Sequence, residues 1–189
     1  MESPIALPSF EQQLDAMFGC CDPAGRTIED PERHFSPQSL QRLDEDTAPL
    51  IRRYMELACD GLRLPGVLHR THPMLWLIDK PGDVWTAIEE VIDAETGAYL
   101  YPLSRSQSSK PGHVRLGHPS LVIARNKHAR IGGEIKYSAA ANKWIISNRS
   151  GRYGTRPNQT QAHLAAAASR FMEFDIELTV SFWQPGNSQ

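Results

Sequence analysis

Three short polar clusters in the second half of the chain hold residues whose types could do chemistry. They are Gly117-His118-Pro119-Ser120, then Gly133-Glu134, and finally Ser150-Gly151-Arg152-Tyr153. Each cluster adjoins a predicted strand, and the ends of strands are where a sheet can bring polar side chains together at a cleft. We therefore expect one hollow that holds a ligand bearing phosphate.

The side chains in and beside these clusters suggest different roles. Arg149 and Arg152 would clamp phosphate because a guanidinium group can donate two parallel hydrogen bonds to its oxygens, with Ser150 beside them. Tyr153 would stack on a planar ring. Glu134 would orient a hydroxyl group or stabilise a positive charge that develops during the reaction.

The distribution of charge supports an anion-binding face. The chain has 189 residues and a formal net charge of −2, yet residues 105–156 contain eleven lysines and arginines and a single acid, Glu134. Such a basic segment indicates attraction to phosphate or another anion. The alternative is a solvated surface whose arginines pair with the acidic first third of the chain.

Several function classes are excluded by missing signals. The chain lacks the glycine-rich, serine and zinc motifs of P-loop NTPases, Rossmann enzymes, α/β-hydrolases and zincins. Its three cysteines do not form a disulfide framework, which favours a reducing compartment. His69 and His72 have metal-like spacing but no evident third ligand. No apolar run reaches membrane-spanning length, and no basic segment followed by an apolar stretch opens the chain as a signal peptide would.

Hydrophobic periodicity predicts helices first and strands later, and so an α+β fold in one compact domain. Residues 1–66 form a helical N-terminal region and residues 67–189 a core built on a mostly antiparallel sheet. A loop is predicted over 22–36, and the stretch 84–92 fits either a helix or a strand. Helices are predicted over 10–18, 37–43, 48–60 and 162–174, and strands over 67–70, 74–78, 98–103, 121–124, 133–137, 143–147 and 176–183.

The succession of the three clusters resembles a known domain. Plant IQ-motif calmodulin-binding proteins and uncharacterised bacterial and fungal proteins share a domain with the motifs His-Ser-Ser-Phe, Ala-Gly-Glu and Ser-Gly-His-Tyr. Three segments of this chain are similar to these motifs, in the same order: Gly117-His118-Pro119-Ser120, Ile131-Gly132-Gly133-Glu134-Ile135, and the segment from Trp144 to Tyr153. The resemblance covers about residues 98–175. No calmodulin-binding IQ segment is present, so the plant function is not implied.

The sequence departs from that family's pattern at several positions. Pro119 stands where the family has serine, Arg152 where it has histidine, and the proline that usually follows the tyrosine closely is displaced to Pro157. The acid at Glu134 is not constant in the family, because plant members tend to be basic there.

A compact, arginine-rich chain with this module and no signal peptide suits a bacterial effector or toxin delivered by a specialised secretion system. Effector enzymes of this size include mono-ADP-ribosyltransferases, which use an early arginine or histidine, a serine and a glutamate. Arg70 or His69, Ser120 and Glu134 occur in that order, an analogy of order and charge. The interpretation as a mono-ADP-ribosyltransferase implies that NAD is the cofactor and that His118 is among the catalytic residues.

Two other functions stay open at this point. One is a non-enzymatic effector module that binds a protein or an anionic ligand through its basic face. The other is a hydrolase or lyase in which His118 is the general base. The expected partners are a protein target in a host or competitor cell and an immunity or chaperone protein. The absence of a known nucleic-acid-binding pattern argues against nucleic acid.

Overall fold

A computed structural model describes residues 7–64, 67–68, 72–102 and 108–184. The helices with described bounds are α1 (Phe10–Phe18), α2 (Asp30–His34), α3 (Ala48–Cys59), α4 (His118–Leu121) and α5 (Gln161–Met172). The strands are β1 (Gln41–Arg42), β2 (Met74–Ile78), β3 (Val84–Ile88), β4 (Glu90–Asp93), β5 (Tyr99–Pro102), β6 (His113–Leu116), β7 (Ile131–Ser138), β8 (Lys143–Ser147) and β9 (Thr179–Ser181). The predicted α+β class is confirmed.

Two sheets organise the strands. The larger has the order β1-β3-β2-β7-β8-β9, and its neighbours are antiparallel except for the parallel pair β8 and β9. The smaller is antiparallel, with the order β5-β4-β6. Strand β7 lies inside the larger sheet between β2 and β8, so its side chains are positioned from both sides.

The two faces of the larger sheet are buried differently. Along β2, Trp76 and Ile78 enter the main core together with residues of α1, α3 and α5. Leu75 and Leu77 point the opposite way, into a smaller cluster that contains Leu121 of α4. This alternation is the period of two expected of a strand buried on both faces. The second face is where the candidate site lies.

The first helix is specified locally, as the sequence predicts. The Ser9 side chain accepts a hydrogen bond from the Gln12 N–H at 3.2 Å, and the Gln12 side chain accepts one from the Ser9 N–H at 2.8 Å. This reciprocal pair is a capping box. Gly19 ends the helix with a φ of 85°, a left-handed value that favours glycine.

Several predicted elements are wrong, beginning with 37–43 and 121–124. The segment 37–43 was expected to be helical, but the Glu90 carboxylate accepts hydrogen bonds from the Gln38 and Ser39 N–H groups at 2.8 and 2.9 Å, and the chain continues into β1 on the edge of the sheet. The segment 121–124, expected to be a strand, begins instead with the end of α4.

The remaining differences follow from packing that the periodicity did not reveal. The predicted loop over 22–36 contains helix α2, and the ambiguous stretch 84–92 forms strands β3 and β4. In the predicted strand 67–70, Val67 and Leu68 are helical, while His69 and Arg70 lie outside the described residues.

Arg130 joins the N-terminal helix to the sheet. Its side chain is fully buried, pairs with Glu11 and Asp15 of α1, and donates to the Gly19 and Lys80 carbonyls. Replacing Arg130 with methionine should lower the free energy of unfolding by about 2 kcal/mol, because the buried Gly19 carbonyl loses its donor and the partly exposed Glu11 and Asp15 carboxylates lose their partner. Urea denaturation measures this change. Arg125→Met, at an exposed arginine, should change the same quantity by less than about 0.5 kcal/mol, and equal effects would contradict the prediction.

Candidate functional site

A cavity of about 570 Å³ opens on the second face of the larger sheet, beside α2, β6, α4 and the loop after β8. This volume is within the range of small-molecule sites. Its lining is dominated by charged and imidazole side chains: Arg26, Glu29, Glu32, Glu89, His113, Arg115, His118, Glu134, Arg149 and Arg152.

Two glycines let the loop after β8 cross over β7. A Cβ atom on Gly133 would lie 1.8 Å from the Ser147 carbonyl oxygen, and one on Gly154 would lie 2.2 Å from the Gly132 oxygen. The Asn148 amide fixes the same loop by donating to the Gly154 carbonyl at 2.8 Å. The glycines permit this close backbone approach, which delivers residues 149–152 to the cavity.

His118 opens helix α4 and faces the cavity with only 9% of its surface exposed. Its Nε2 lies 2.8 Å from the Gly133 carbonyl oxygen. Since a carbonyl oxygen can only accept, Nε2 carries the proton in the neutral ring. The first and second clusters of the sequence therefore meet through this hydrogen bond.

Glu134 brings a buried carboxylate to the cavity. It lies on β7 between Leu75 of β2 and Ser147 of β8, and its side chain is 5% exposed. Its Oε2 is 3.0 Å from the Lys136 ammonium group, two residues along the same face of the strand.

Glu32 is a cavity carboxylate that the sequence reasoning missed. It lies in α2, is 3% exposed, and accepts hydrogen bonds from Arg152 at 3.2 Å and from the Glu29 N–H at 3.0 Å. Burial raises the pKa of Glu32, although the bonds from Glu29, Arg152 and the Gly117 N–H oppose that rise. The Glu29-Asp30-Pro31-Glu32 pattern, typical of a capped helix start, was the signal that could have located it.

Two predicted site residues do not reach the cavity. The Tyr153 side chain is fully buried in the smaller cluster, and its hydroxyl donates to the Lys127 carbonyl at 2.7 Å. Burial raises its pKa, so it stays protonated. Ser120 is also fully buried, and its Oγ has no hydrogen-bond partner in the described part of the chain. The geometry therefore does not support Tyr153 as a stacking platform.

The structure brings His118, Glu134, Arg149, Ser150 and Arg152 to one cavity. Arg70, the remaining predicted catalytic residue, lies outside the described residues, as does His69, the alternative to it.

The cavity is not uniformly basic, contrary to the expectation from residues 105–156. Two of its cations are paired with lining carboxylates, Arg115 with Glu89 at 2.8 Å and Arg152 with Glu32 at 3.2 Å. Glu134 is paired at 3.0 Å with Lys136, which lies outside the lining. The acidic first third of the chain supplies Glu29 and Glu32 to the lining. The site is therefore a mixed constellation of carboxylate, imidazole and guanidinium groups.

The raised pKa of Glu32 predicts a specific pH dependence of stability. Between the ordinary value of 4.5 and the raised pKa, the folded protein binds a proton that the unfolded chain has released. The contribution of Glu32 to stability should therefore fall as the pH rises through this window and level off above it. Urea denaturation from pH 4.5 to 8 measures this as the difference between the wild type and Glu32→Gln. A difference that does not vary with pH would contradict the prediction.

Within the described ranges, no group of three or more histidine, cysteine, aspartate or glutamate side chains could hold a metal ion. The same residues contain no helix long and apolar enough to cross a membrane.

Comparison with protein-family models, curated proteins and solved structures found no match to this chain. The resemblance drawn from the three motifs therefore stays a prediction, and the function rests on the geometry of the cavity.

Proposed function

We propose that this protein binds NAD in the cavity and transfers ADP-ribose from it to a macromolecule. The observation that carries the proposal is the Glu134 carboxylate, which is buried at the cavity beside His118 while arginines occupy the exposed part of the lining. A buried anion with two exposed arginines, Arg26 and Arg149, in the same lining matches a ligand with a positively charged reacting end and a negatively charged diphosphate.

The chemistry of the proposed reaction calls for such an anion. The bond between ribose C1′ and the nicotinamide nitrogen breaks, and its electron pair leaves with the nicotinamide, which becomes neutral. The ribose then carries positive charge shared between C1′ and the ring oxygen. A fixed carboxylate beside that charge lowers the barrier because it needs no reorganisation in the transition state.

A proton must also leave the acceptor as its nucleophilic atom bonds to C1′. His118 is assigned to this step because its imidazole lines the cavity that Glu134 also lines, and an imidazole can act as a general base. Each turnover then releases one nicotinamide and one proton and leaves the ADP-ribosyl group on the acceptor.

The ring of the ligand would pack on aliphatic surface. Tyr153 and Trp144 are both buried in cores, so neither serves as a stacking platform. Leu75, Val114 and Pro119 supply apolar atoms to the cavity lining instead, and apolar contact of this kind contributes to binding in proportion to its area.

Purified protein incubated with NAD and a cell lysate tests the proposal. We expect release of nicotinamide and a labelled acceptor when the adenine of NAD carries the label, and we expect NAD to raise the melting temperature because it binds only the folded state. Absence of nicotinamide release with every acceptor source, together with no thermal shift by NAD, would reject the proposal.

The position of Glu32 favours a second candidate function, that of a hydrolase or lyase. The sequence offered no second carboxylate to support a hydrolase or lyase with His118 as general base, and the structure places Glu32 in the same cavity. The same assay separates the two functions, because a hydrolase would give nicotinamide and free ADP-ribose without a labelled acceptor. Binding of NAD without any product would favour the non-enzymatic binding module.

The biological setting remains part of the proposal. We propose that the acceptor is a protein of a host or competitor cell, reached through a specialised secretion system, and that an immunity or chaperone protein masks the activity in the producing cell. Co-expression with the product of a neighbouring gene tests the last point, since an immunity protein should abolish nicotinamide release.

A further inference from the structure

Two arginines of the cavity lining differ from its other described cations. Arg115 and Arg152, the other two arginines of the lining, each pair with a carboxylate. Among the described residues, no carboxylate oxygen lies within 4.0 Å of a side-chain nitrogen of Arg26 or Arg149. Both are exposed, whereas Glu134, His118 and Glu32 are buried. The two arginines of the described lining that have no carboxylate partner therefore lie at exposed positions, where the exposed carboxylate of Glu29 also lines the cavity.

Arg26 is held in place by the loop after β8. The Gly25 N–H donates to the Arg152 carbonyl at 2.7 Å, which fixes the backbone next to Arg26. The Arg26 guanidinium then lies against Gly151, where a Cβ atom would be 3.2 Å from Cζ and 3.4 Å from Nη1. This contact places the guanidinium at the cavity and depends on the absence of a side chain on Gly151.

Arg149 is held by a different contact on the same loop. Its guanidinium carbon lies 4.6 Å from the ring centroid of Trp183, within the range of a cation–π interaction. The Asn148 side chain ties Trp183 to the loop, accepting from the Trp183 N–H at 2.7 Å and donating to its carbonyl at 2.9 Å. The orientation of Arg149 is therefore set before any ligand binds.

We propose that Arg26 and Arg149 form a subsite for the phosphate groups of a phosphate ester, flanking Gly151 at the mouth of the cavity. Guanidinium groups that are oriented in advance and not neutralised by the protein bind phosphate oxygens in pairs and lose little freedom on binding. The uncharged or cationic remainder of the ligand then extends toward Glu134. Only the assignment of that remainder to nicotinamide ribose rests on the proposed function.

Calorimetric titration with inorganic pyrophosphate tests the subsite without any reaction. We expect Arg26→Gln and Arg149→Gln each to weaken pyrophosphate binding by at least about 10-fold, the cost of losing a charge-assisted pair of hydrogen bonds. Arg125→Gln, which removes an exposed arginine of the same basic segment outside the lining, should leave binding unchanged.

A second series identifies which part of a ligand the subsite reads. ADP-ribose and AMP should lose affinity in Arg26→Gln and Arg149→Gln, whereas the affinity of nicotinamide alone should not change. Raising the salt concentration should weaken binding of the phosphorylated ligands, because the arginines are exposed. Equal melting temperatures of the three Arg→Gln proteins confirm that the comparison concerns folded protein.

The outcomes separate this inference from the proposed function. If pyrophosphate binds through Arg26 and Arg149 but NAD is never turned over, the subsite stands and the transferase proposal fails. If NAD is turned over but both variants bind pyrophosphate as tightly as Arg125→Gln, the subsite is overturned and the transferase proposal stands. Failure of the wild-type protein to bind pyrophosphate would also overturn the subsite.

Discussion

Replacing Gly133 with alanine is expected to remove the native fold. The added Cβ would lie 1.8 Å from the Ser147 oxygen and 2.9 Å from the Asn148 Cα, and both are backbone atoms that cannot rotate away. Relief would require separating β7 from the end of β8, inside the larger sheet. We expect a loss of more than about 4 kcal/mol, the range reached only by severe overlaps and similar defects, against a total stability of about 5–15 kcal/mol.

Circular dichroism and urea denaturation of Gly133→Ala measure this loss. Gly25→Ala is the matched control, because its Cβ would meet its nearest atom, the Arg152 oxygen, at 3.4 Å, an ordinary contact. The control should unfold within about 1 kcal/mol of the wild type. A cooperative Gly133→Ala protein with a similar urea midpoint would show that the loop crossing is looser than the structure describes.

Replacing Glu134 with glutamine is expected to lower the turnover of NAD at saturating concentration by about 100-fold or more. The amide keeps the shape of the carboxyl group but not its charge, so the positive charge of the transition state loses its partner. Folding should change by no more than about 1 kcal/mol, because Lys136 is partly exposed and can be solvated once its partner is neutral.

Nicotinamide release by Glu134→Gln, measured with the melting temperature of the same sample, tests this expectation. Glu95→Gln removes an exposed acid outside the cavity lining and should retain full turnover. Lys136→Met serves as a second control, since it removes the ion pair and retains the carboxylate. Wild-type turnover by a folded Glu134→Gln protein would remove Glu134 from the mechanism.

These two expectations concern adjacent residues with different tasks. Gly133 lets the loop after β8 reach the cavity, and its carbonyl receives the His118 Nε2–H. Glu134 presents its carboxylate to the space that the loop encloses. The Gly-Glu pair thus combines a backbone requirement with a chemical one.

Local signals in the sequence determined the elements that depend on neighbouring residues. The capping box at Ser9, the apolar run of β2 and the helical stripe of α3 each specify their structure through contacts within a few positions. The same local pattern placed Glu134 in a strand, whereas the strand predicted after His118 was wrong because His118 opens helix α4. Such features are predictable because propensity, capping and periodicity act over one or two turns or a few strand residues.

Only the tertiary structure decided what these elements meet. The Glu90 carboxylate accepts hydrogen bonds from the Gln38 and Ser39 N–H groups in a segment with helical signals, and that segment continues into β1. Packing turned Tyr153 into a core residue, while Arg26 and Glu32 reached the cavity from a segment that the sequence assigned to a loop. Charge along a sequence does not reveal which ions will pair, because pairing depends on contacts more than a hundred residues apart, as between Glu32 and Arg152. Because of burial and long-range pairing, the cavity therefore contains both cations and carboxylates, although the segment 105–156 is basic.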